Sequence, residues 1–187
     1  MNIEEINKIT EDIVSFDMKP EDTEVYIKYI TPLKPGSRVV DFGTGEAKNA
    51  IRMALSNPDA EIWTWDWGKA NPDTPVTYFK RITELLRRKK IDNVYFITSL
   101  SDEAWLDWEW PISVLNIDCS HDYELTLKDI KRWEPFVVDN GYIFIHDYNY
   151  PGGEPYRFPG LRQAVDELLG KYRFIEYTGG TQVIQKI

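Results

Sequence analysis

The sequence predicts an α/β fold in which a doubly wound, mostly parallel sheet carries helices on both faces. Five short apolar runs alternate with helical patterns, and they cover residues 38–42, 61–66, 94–97, 112–118 and 142–146. Such alternation is typical of parallel strands joined by right-handed crossovers. Continuously apolar runs indicate strands that are covered on both faces. Two further runs, 172–177 and 182–184, flank a Thr-Gly-Gly-Thr turn and predict a C-terminal antiparallel hairpin, so seven strands are expected.

Length and charge limit the classes of protein that this chain can represent. Its 187 residues, 42% of them hydrophobic, suit a single domain with a sizeable core. We divide that domain into an N-terminal helical cap at 1–33 and a core at 37–187. A formal net charge of -9 argues against a nucleic-acid partner. No apolar run approaches the ~20 residues that span a bilayer, so no membrane partner is expected. A single cysteine fits a reducing compartment and predicts a cytoplasmic protein.

Helical spacing and capping residues predict the elements between the strands. Isoleucines recur every three or four positions over residues 3–16, and Asp22 or Thr23 is placed to cap a second short helix. Thr74 and the proline after it open a helix that finishes in the basic run 87–90. That run complements the negative end of the helix dipole, with a phosphate-binding patch as the alternative. Further helices are expected before Asn57-Pro58, over 123–133 and over 161–168.

A glycine-rich turn follows the first strand, in the segment Asp41-Phe42-Gly43-Thr44-Gly45. In open α/β sheets, ligands bind beyond the carboxyl ends of the strands, and glycines let the backbone approach them closely. Glu46 and Asp41 would place two carboxylates where a pyrophosphate would otherwise sit. Two anions repel phosphate and suit a cationic group such as an ammonium or a sulfonium. The turn therefore predicts a pocket for a ligand with a positively charged head.

The ends of the second and third strands offer further ligand contacts. Asp66 is placed to accept both hydroxyls of a ribose, with a solvated strand end as the alternative. Trp67 is placed to lie against a purine, or else to form one packed stripe with Trp63 and Trp65. Ser99 and Asp102 are placed to meet an adenine edge, or else to cap a helix.

At this point the sequence resembles the class I S-adenosylmethionine-dependent methyltransferases, which share the D-x-G-x-G turn, the acid after the second strand and the closing hairpin. The resemblance narrows at three downstream segments, namely Ile117–Tyr123, Gly141–Tyr148 and Pro159–Val165. These are similar to the patterns I-D-G-D-H-x-Y, G-G-x-I-x-x-H-D-Y and P-G-V-x-x-A-V of methyltransferase family 24, which includes macrolide sugar O-methyltransferases. The match covers about residues 37 to 170 and implies a Rossmann-like fold. The chain departs from the pattern at Cys119, Ser120 and Asn140.

The resemblance implies S-adenosylmethionine as the cofactor and a hydroxyl of a small molecule, such as a sugar or a secondary metabolite, as the methyl acceptor. The positions that match the cofactor site are Asp41, Phe42, Gly43, Thr44, Gly45, Asp66, Trp67, Ser99, Asp102 and Asp118. Because the sheet and its helices use nearly all of the chain, few residues remain to enclose an acceptor. We therefore expect a homodimer to complete the site.

Four side chains at the ends of the fourth and fifth strands are expected to form the reacting end. Asp118 and His121 follow the fourth strand, and His146 and Asp147 follow the fifth; the chain has only these two histidines. In the family's topology the two strands are neighbours, so the four side chains converge. His121 is the preferred general base. Alternatively, Asp118 and Asp147 would hold a divalent cation such as Mg²⁺ with His146 beside them, although Ser120 replaces an acid of the family pattern.

Other chemistry remains open from the residues alone. Tyr148, Tyr156 and Arg157 lie on an aromatic, proline-rich loop that is a candidate lid over the acceptor. Cys119 and His121 form a nucleophilic pair only if a third group orients them. Two histidines and an aspartate also suit non-heme iron. A NAD-dependent enzyme and a cofactor-binding protein without catalysis are the remaining alternatives.

Overall fold

Seven strands form one sheet in the computed structural model, which describes residues 1–14, 19–66, 74–99, 107–118, 120–148, 158–168 and 172–187. The strands are β1 (Arg38–Phe42), β2 (Glu61–Trp65), β3 (Val94–Ile97), β4 (Ile112–Ile117), β5 (Val137–His146), β6 (Tyr172–Thr178) and β7 (Thr181–Lys186). Their spatial order is β3-β2-β1-β4-β5-β7-β6. The first five are parallel, and β7 pairs antiparallel with both β5 and β6. The predicted fold class is confirmed.

Six helices are present among the described residues. They are α1 (Ile3–Ile9), α2 (Asp22–Ile30), α3 (Lys48–Ser56), α4 (Pro75–Lys89), α5 (Tyr123–Trp133) and α6 (Pro159–Leu168). A 3-10 turn, Glu134–Phe136, joins α5 to β5. Thr74 caps α4 as predicted, since its side chain accepts a hydrogen bond from the Thr77 amide. None of these helices is long and apolar enough to cross a bilayer.

Three boundaries differ from the sequence prediction for local reasons. Helix α1 ends at Ile9, where the Thr10 hydroxyl bonds back to the Ile6 carbonyl, although Ile13 is still buried. Strand β5 begins at Val137 rather than Tyr142, and it passes through Asn140 in a left-handed conformation at φ 62°. Asp22 is the first residue of α2 and does not cap it; its carboxylate turns instead toward the hairpin between β6 and β7.

The helices cover the two faces of the sheet with separate apolar clusters. Helices α5 and α6 pack with one face, where Phe42, Leu115 and Ile145 are buried. Helices α2 and α3 pack with the other face, and α4 joins α3 beyond it. The first face also contains a group of tryptophans: Trp63 and Trp65 stack at 6.3 Å between ring centroids, and Trp108 and Trp133 pack against Trp65. The packed-stripe interpretation is confirmed for Trp63 and Trp65, whereas Trp67 lies outside the described residues.

Candidate active site

The glycine-rich turn lies between β1 and α3 and is built from left-handed backbone conformations. Gly43, Gly45 and Ala47 have φ angles of 103°, 50° and 62°. The Gly43 amide donates to the Trp65 carbonyl at 3.0 Å, and the Gly45 amide donates to the Asp66 carboxylate at 2.9 Å. The Tyr78 hydroxyl of α4 donates to the Gly45 carbonyl. A Cβ atom built on Gly45 would meet nothing within 4 Å, so the space above the turn is open.

Asp41 faces the interior of the sheet rather than the open turn. Its carboxylate is fully buried and accepts hydrogen bonds from Thr64 of β2 and Asn116 of β4, each at 2.7 Å. Burial raises the pKa of Asp41 to about 6, against the opposing effect of these two hydrogen bonds. The expectation that Asp41 presents its charge directly to a ligand therefore does not hold in this arrangement. Its role in binding the cofactor stays a prediction.

The other two acids near the turn are placed differently from one another. The Glu46 carboxylate forms a bidentate ion pair with Arg81 of α4, so its charge is matched within the protein. Asp66 follows β2 and binds the turn through the Gly45 amide. Of the three acids near the turn, Asp66 is the one that is neither buried nor held in an ion pair with Arg81.

The remaining predicted cofactor residues differ in how deeply they are buried. Phe42 is buried against Trp65 and Trp133, with ring centroids at 5.5 and 4.8 Å. Thr44 is also buried, and its hydroxyl lies 2.6 Å from the Thr64 hydroxyl, which continues the network around Asp41. Ser99 is half-buried beyond the end of β3. Trp67 and Asp102 lie outside the described residues.

The structure brings together the four side chains at the ends of β4 and β5. Asp118 is tied to the glycine turn because its amide donates to the Phe42 carbonyl at 2.8 Å. One Asp118 oxygen lies 3.2 Å from His146 Nδ1, and the other accepts from the Asn49 side chain at 3.4 Å. His121 Nε2 lies 3.1 Å from an Asp147 oxygen. Ligand atoms of Asp118, His121 and Asp147 all lie within 4.8 Å of one another, which makes these residues a candidate cation site.

His146 is the buried centre of this group, with 2% of its side chain exposed. Its Nδ1 faces Asp118 and Asp147 at 3.2 and 3.5 Å, and its Nε2 faces Asp22 at 3.6 Å. The angles do not make these good hydrogen bonds, so they are ion pairs at close range. Burial alone would lower the pKa of His146, but Asp118, Asp147 and Asp22 together raise it far above its usual value. A ring that keeps its proton is unsuited to act as a base.

Asp147 and His121 form a second contact within the group, in which His121 is the most exposed of the four side chains. Asp147 adopts a left-handed conformation at φ 60°, uncommon for an aspartate, and thereby turns its carboxylate toward both imidazoles. Burial would raise the pKa of Asp147, but hydrogen bonding to His121 and His146 holds it well below its usual range. The His121 side chain is 29% exposed and stacks on Phe158 with 3.8 Å between ring centroids.

The predicted substrate loop is described only at its ends. Tyr148 donates its hydroxyl to Asp166 of α6 at 2.5 Å, and the Arg162 guanidinium lies over the Tyr148 ring at 5.5 Å. Tyr148 is therefore attached to helix α6. Tyr156 and Arg157 lie outside the described residues, as does Cys119, so the structure does not bear on their predicted roles.

Sequence reasoning missed several residues that complete the site. Asp22 had been considered only as a helix cap, Asn49 lies in the first turn of α3, and Asn116 and Thr64 are strand residues that hold Asp41. A polar residue within an otherwise apolar strand is the signal that could have found Thr64 and Asn116, because a buried strand position tolerates one only with a partner. No local signal distinguishes Asp22, since its partners lie 158 and 159 residues away.

A family model described as a methyltransferase domain, methyltransferase family 24, matches residues 7–148. No curated protein matches the sequence. Among solved structures, the chain is similar to a candidate caffeoyl-CoA O-methyltransferase from Staphylococcus aureus, with a TM-score of 0.74 and 13% identity over 100% of this chain and 93% of that one.

Two further solved structures have the same fold. An O-methyltransferase from Bacillus cereus in complex with SAH has a TM-score of 0.70 and 12% identity over 98% of this chain and 90% of that one. A candidate rRNA methylase from Clostridium thermocellum has a TM-score of 0.67 and 16% identity over 92% of this chain and 98% of that one. At these identities the structures establish the fold, and the family model covers most of the chain. The chain therefore belongs to methyltransferase family 24 of the class I S-adenosylmethionine-dependent methyltransferases.

Proposed function

We propose that this methyltransferase transfers a methyl group from S-adenosylmethionine to a hydroxyl of a small molecule. One observation carries the proposal: the partly exposed His121 pairs with Asp147 and lies beside Asp118, whose backbone is bonded to the glycine turn. His121, which can accept a proton from a hydroxyl, therefore lies close to the turn that is expected to bind the cofactor. The structural neighbours that are O-methyltransferases support the same choice of acceptor atom.

The residues around the turn fit the cofactor. The open space above Gly45 leaves room for a ligand close to the backbone, and Asp66 presents a carboxylate at the strand end where a ribose can be recognised. We expect Asp66 and the Gly43–Gly45 backbone to hold the nucleoside, with Ser99 and Asp118 beside them. When bound, S-adenosylmethionine supplies a methyl group activated by its sulfonium charge. The protein's own contribution is orientation and proton removal.

His121 is the residue we assign to proton removal from the acceptor hydroxyl. Its Nε2 faces Asp147, which would fix the ring and stabilise the imidazolium that forms. The other nitrogen, Nδ1, would then take the proton. His146 is a poor alternative because it is almost fully buried and enclosed by carboxylates. Asp118 would help to place the acceptor near the cofactor.

The same side chains also fit a divalent cation. Two carboxylates suit Mg²⁺, and an imidazole extends the choice to ions such as Mn²⁺. When bound, such an ion would lower the pKa of an acceptor hydroxyl. His121 would then be a ligand rather than the base. Methyl transfer that survives dialysis against EDTA would favour His121 as the base, whereas loss restored by MgCl₂ or MnCl₂ would favour the cation.

Cofactor binding is tested by calorimetric titration with S-adenosylmethionine and with its demethylated product. We expect both to bind the wild-type chain. Removing the carboxylate in Asp66→Ala should weaken binding about 10- to 100-fold, the range for a lost hydrogen bond to a charged group. The matched control is Asp59→Asn, an exposed acid on the turn before β2. Absence of heat with either ligand, together with binding of NAD, would reject the proposal in favour of a dehydrogenase.

Catalysis is tested by following formation of the demethylated cofactor with a panel of sugars, catechols and other small hydroxyl compounds. We expect turnover with at least one class of acceptor. His121→Gln should reduce kcat by about 100-fold or more, the typical contribution of a general base, while cofactor binding is unchanged. Glu124→Gln, an exposed acid on α5, is the control. Cofactor binding with no turnover on the whole panel would indicate a binding protein without catalysis.

A further inference from the structure

We propose that Asp22 is a positioning residue of the active site: with the hairpin turn at Gly179–Gly180, it fixes the orientation of the His146 ring and so the placement of Asp118 and Asp147. The catalytic meaning of this inference rests on the proposed function. The interaction itself can be tested without any acceptor.

Asp22 is a fully buried acid at the start of an N-terminal helix, far in sequence from the strands that carry the site. One of its oxygens accepts from the Gly180 amide at 3.0 Å and from the Thr181 hydroxyl at 3.1 Å. The other accepts from the Lys19 amide at 2.9 Å and lies 3.6 Å from His146 Nε2. A buried carboxylate requires such compensation, and here most of it comes from the hairpin.

The hairpin turn is shaped to let this contact form. Thr181 is the cross-strand partner of His146 in the pairing of β5 with β7. A Cβ atom on Gly179, which has φ +65°, would lie 2.5 Å from the Asp22 carboxylate. A Cβ atom on Gly180 would lie 3.1 Å from His146 Nε2. Both glycines therefore admit close neighbours, namely Asp22 at one and His146 at the other.

The His146 ring is consequently held at both edges. Asp22 and Gly180 lie at the Nε2 edge, whereas Asp118 and Asp147 lie at the Nδ1 edge. Rotation of the ring would separate Nδ1 from the two carboxylates at the ends of β4 and β5. Because Asp147 contacts His121, the His146 ring connects the buried contact at Asp22 to the most exposed side chain of the site.

Asp22→Asn tests this arrangement because an amide has only one oxygen. The hairpin donors would retain that oxygen, so the NH₂ group would face the Lys19 amide and His146 Nε2. The Nε2 edge of the ring would then lose its carboxylate contact, so the ring would move from its wild-type position. Nitrogen-15 NMR of histidine-labelled protein at one fixed pH reads this directly, since the chain has two histidines and His121→Gln assigns them.

In Asp22→Asn we expect the His146 ring nitrogen signals to move from their wild-type positions, because the ring loses its carboxylate contact at the Nε2 edge. Glu24→Gln, an exposed acid in the same first turn of α2, should leave the spectrum unchanged. If Asp22→Asn does not fold, Gly180→Ala provides a second test. Its added methyl group should shift the His146 Nε2 signal without changing any charge.

A folded Asp22→Asn protein with a wild-type His146 spectrum would overturn the inference, and so would a folded Gly180→Ala protein with an unmoved Nε2 signal. A purely structural role for Asp22 would lower the melting temperature without moving the ring nitrogen signals of His146. These outcomes are independent of cofactor binding, so failure of the proposed function would be seen separately in the calorimetric titration. Where turnover is found, Asp22→Asn should lower kcat by a larger factor than it raises the KM for S-adenosylmethionine.

Discussion

Asp41 connects three strands through its two carboxylate oxygens. In the parallel register it lies level with Thr64 of β2 and Asn116 of β4, and both side chains donate to it. The acid therefore stabilises the strand from which the glycine turn begins. Sequence position identified a carboxylate at the end of β1, but it did not reveal whether the side chain faces the sheet network or the ligand.

The buried carboxyl of Asp41 should make stability depend on pH in an identifiable way. Burial raises its pKa from 3.8 to about 6, so the native state holds a proton that the unfolded state has already lost between these values. Its stabilising contribution is complete below pH 3.8 and is lost as the pH rises through 6. Asp41→Asn can keep both hydrogen bonds, because Thr64 can donate to Thr44 instead. Its stability relative to wild type should rise by about 2 to 3 kcal/mol between pH 4 and pH 7.

Urea unfolding of both proteins at several pH values measures that difference, and carboxyl groups that do not interact with Asp41 cancel in the comparison. Asp59→Asn, at an exposed acid, should follow the wild-type profile. If the free energies of unfolding of Asp41→Asn and wild type change in parallel with pH, the pKa of the Asp41 carboxyl is the same in the folded and the unfolded chain, and the prediction is wrong.

At the scale of helices and strands, most of the architecture could be predicted because it depends on local patterns. Continuous apolar runs identified the five parallel strands, and the Thr-Gly-Gly-Thr segment identified the hairpin. The errors occur where tertiary contacts, rather than local sequence patterns, determine the structure. Ile13 is buried outside any helix, and β5 extends back through Asn140, whose left-handed backbone interrupts the pattern. The convergence of His121, His146, Asp118 and Asp147 followed from strand order, whereas Asp22 joins them only through the folded hairpin.

The packing of helix α6 on the start of α5 gives a prediction at this scale. A Cβ atom on Gly160 would lie 2.7 Å from the Tyr123 amide and 3.1 Å from the His121 carbonyl. Backbone atoms cannot move aside as a flexible side chain can. Gly160→Ala should therefore destabilise the fold by about 1–3 kcal/mol, the usual cost of overpacking, and displace the segment that carries His121.

Chemical denaturation and the NMR signal of His121 measure these two effects. Gln163→Ala, an exposed change on the same helix, should alter neither by more than a small amount. If Gly160→Ala has wild-type stability and an unshifted His121 signal, the contact between α6 and the start of α5 accommodates the extra methyl group without a loss of free energy, and the prediction is wrong.

At the scale of the whole molecule, the acidity of the chain bears on which acceptor it can approach. Acidic residues number 31 against 22 basic ones, a formal net charge of -9. Part of this excess is used locally, since Asp22, Asp118 and Asp147 enclose His146. Part of the basic set is also engaged: Lys89 pairs with Asp12, Arg87 pairs with Glu84, and Arg81 pairs with Glu46. The conspicuous basic run at the end of α4 is therefore matched partly by acids of the protein itself.

This charge balance favours a small acceptor over RNA, because nucleic-acid binding draws most of its affinity from basic contacts with phosphates. We expect no change in the fluorescence anisotropy of a labelled stem-loop RNA at micromolar protein and about 50 mM salt, conditions that favour electrostatic binding. A basic RNA-binding protein serves as the positive control. Binding that weakens steeply with added salt and is lost in Arg87→Glu/Arg88→Glu would identify the end of α4 as a phosphate-binding surface. That result would reject the small-molecule acceptor in favour of a nucleic acid.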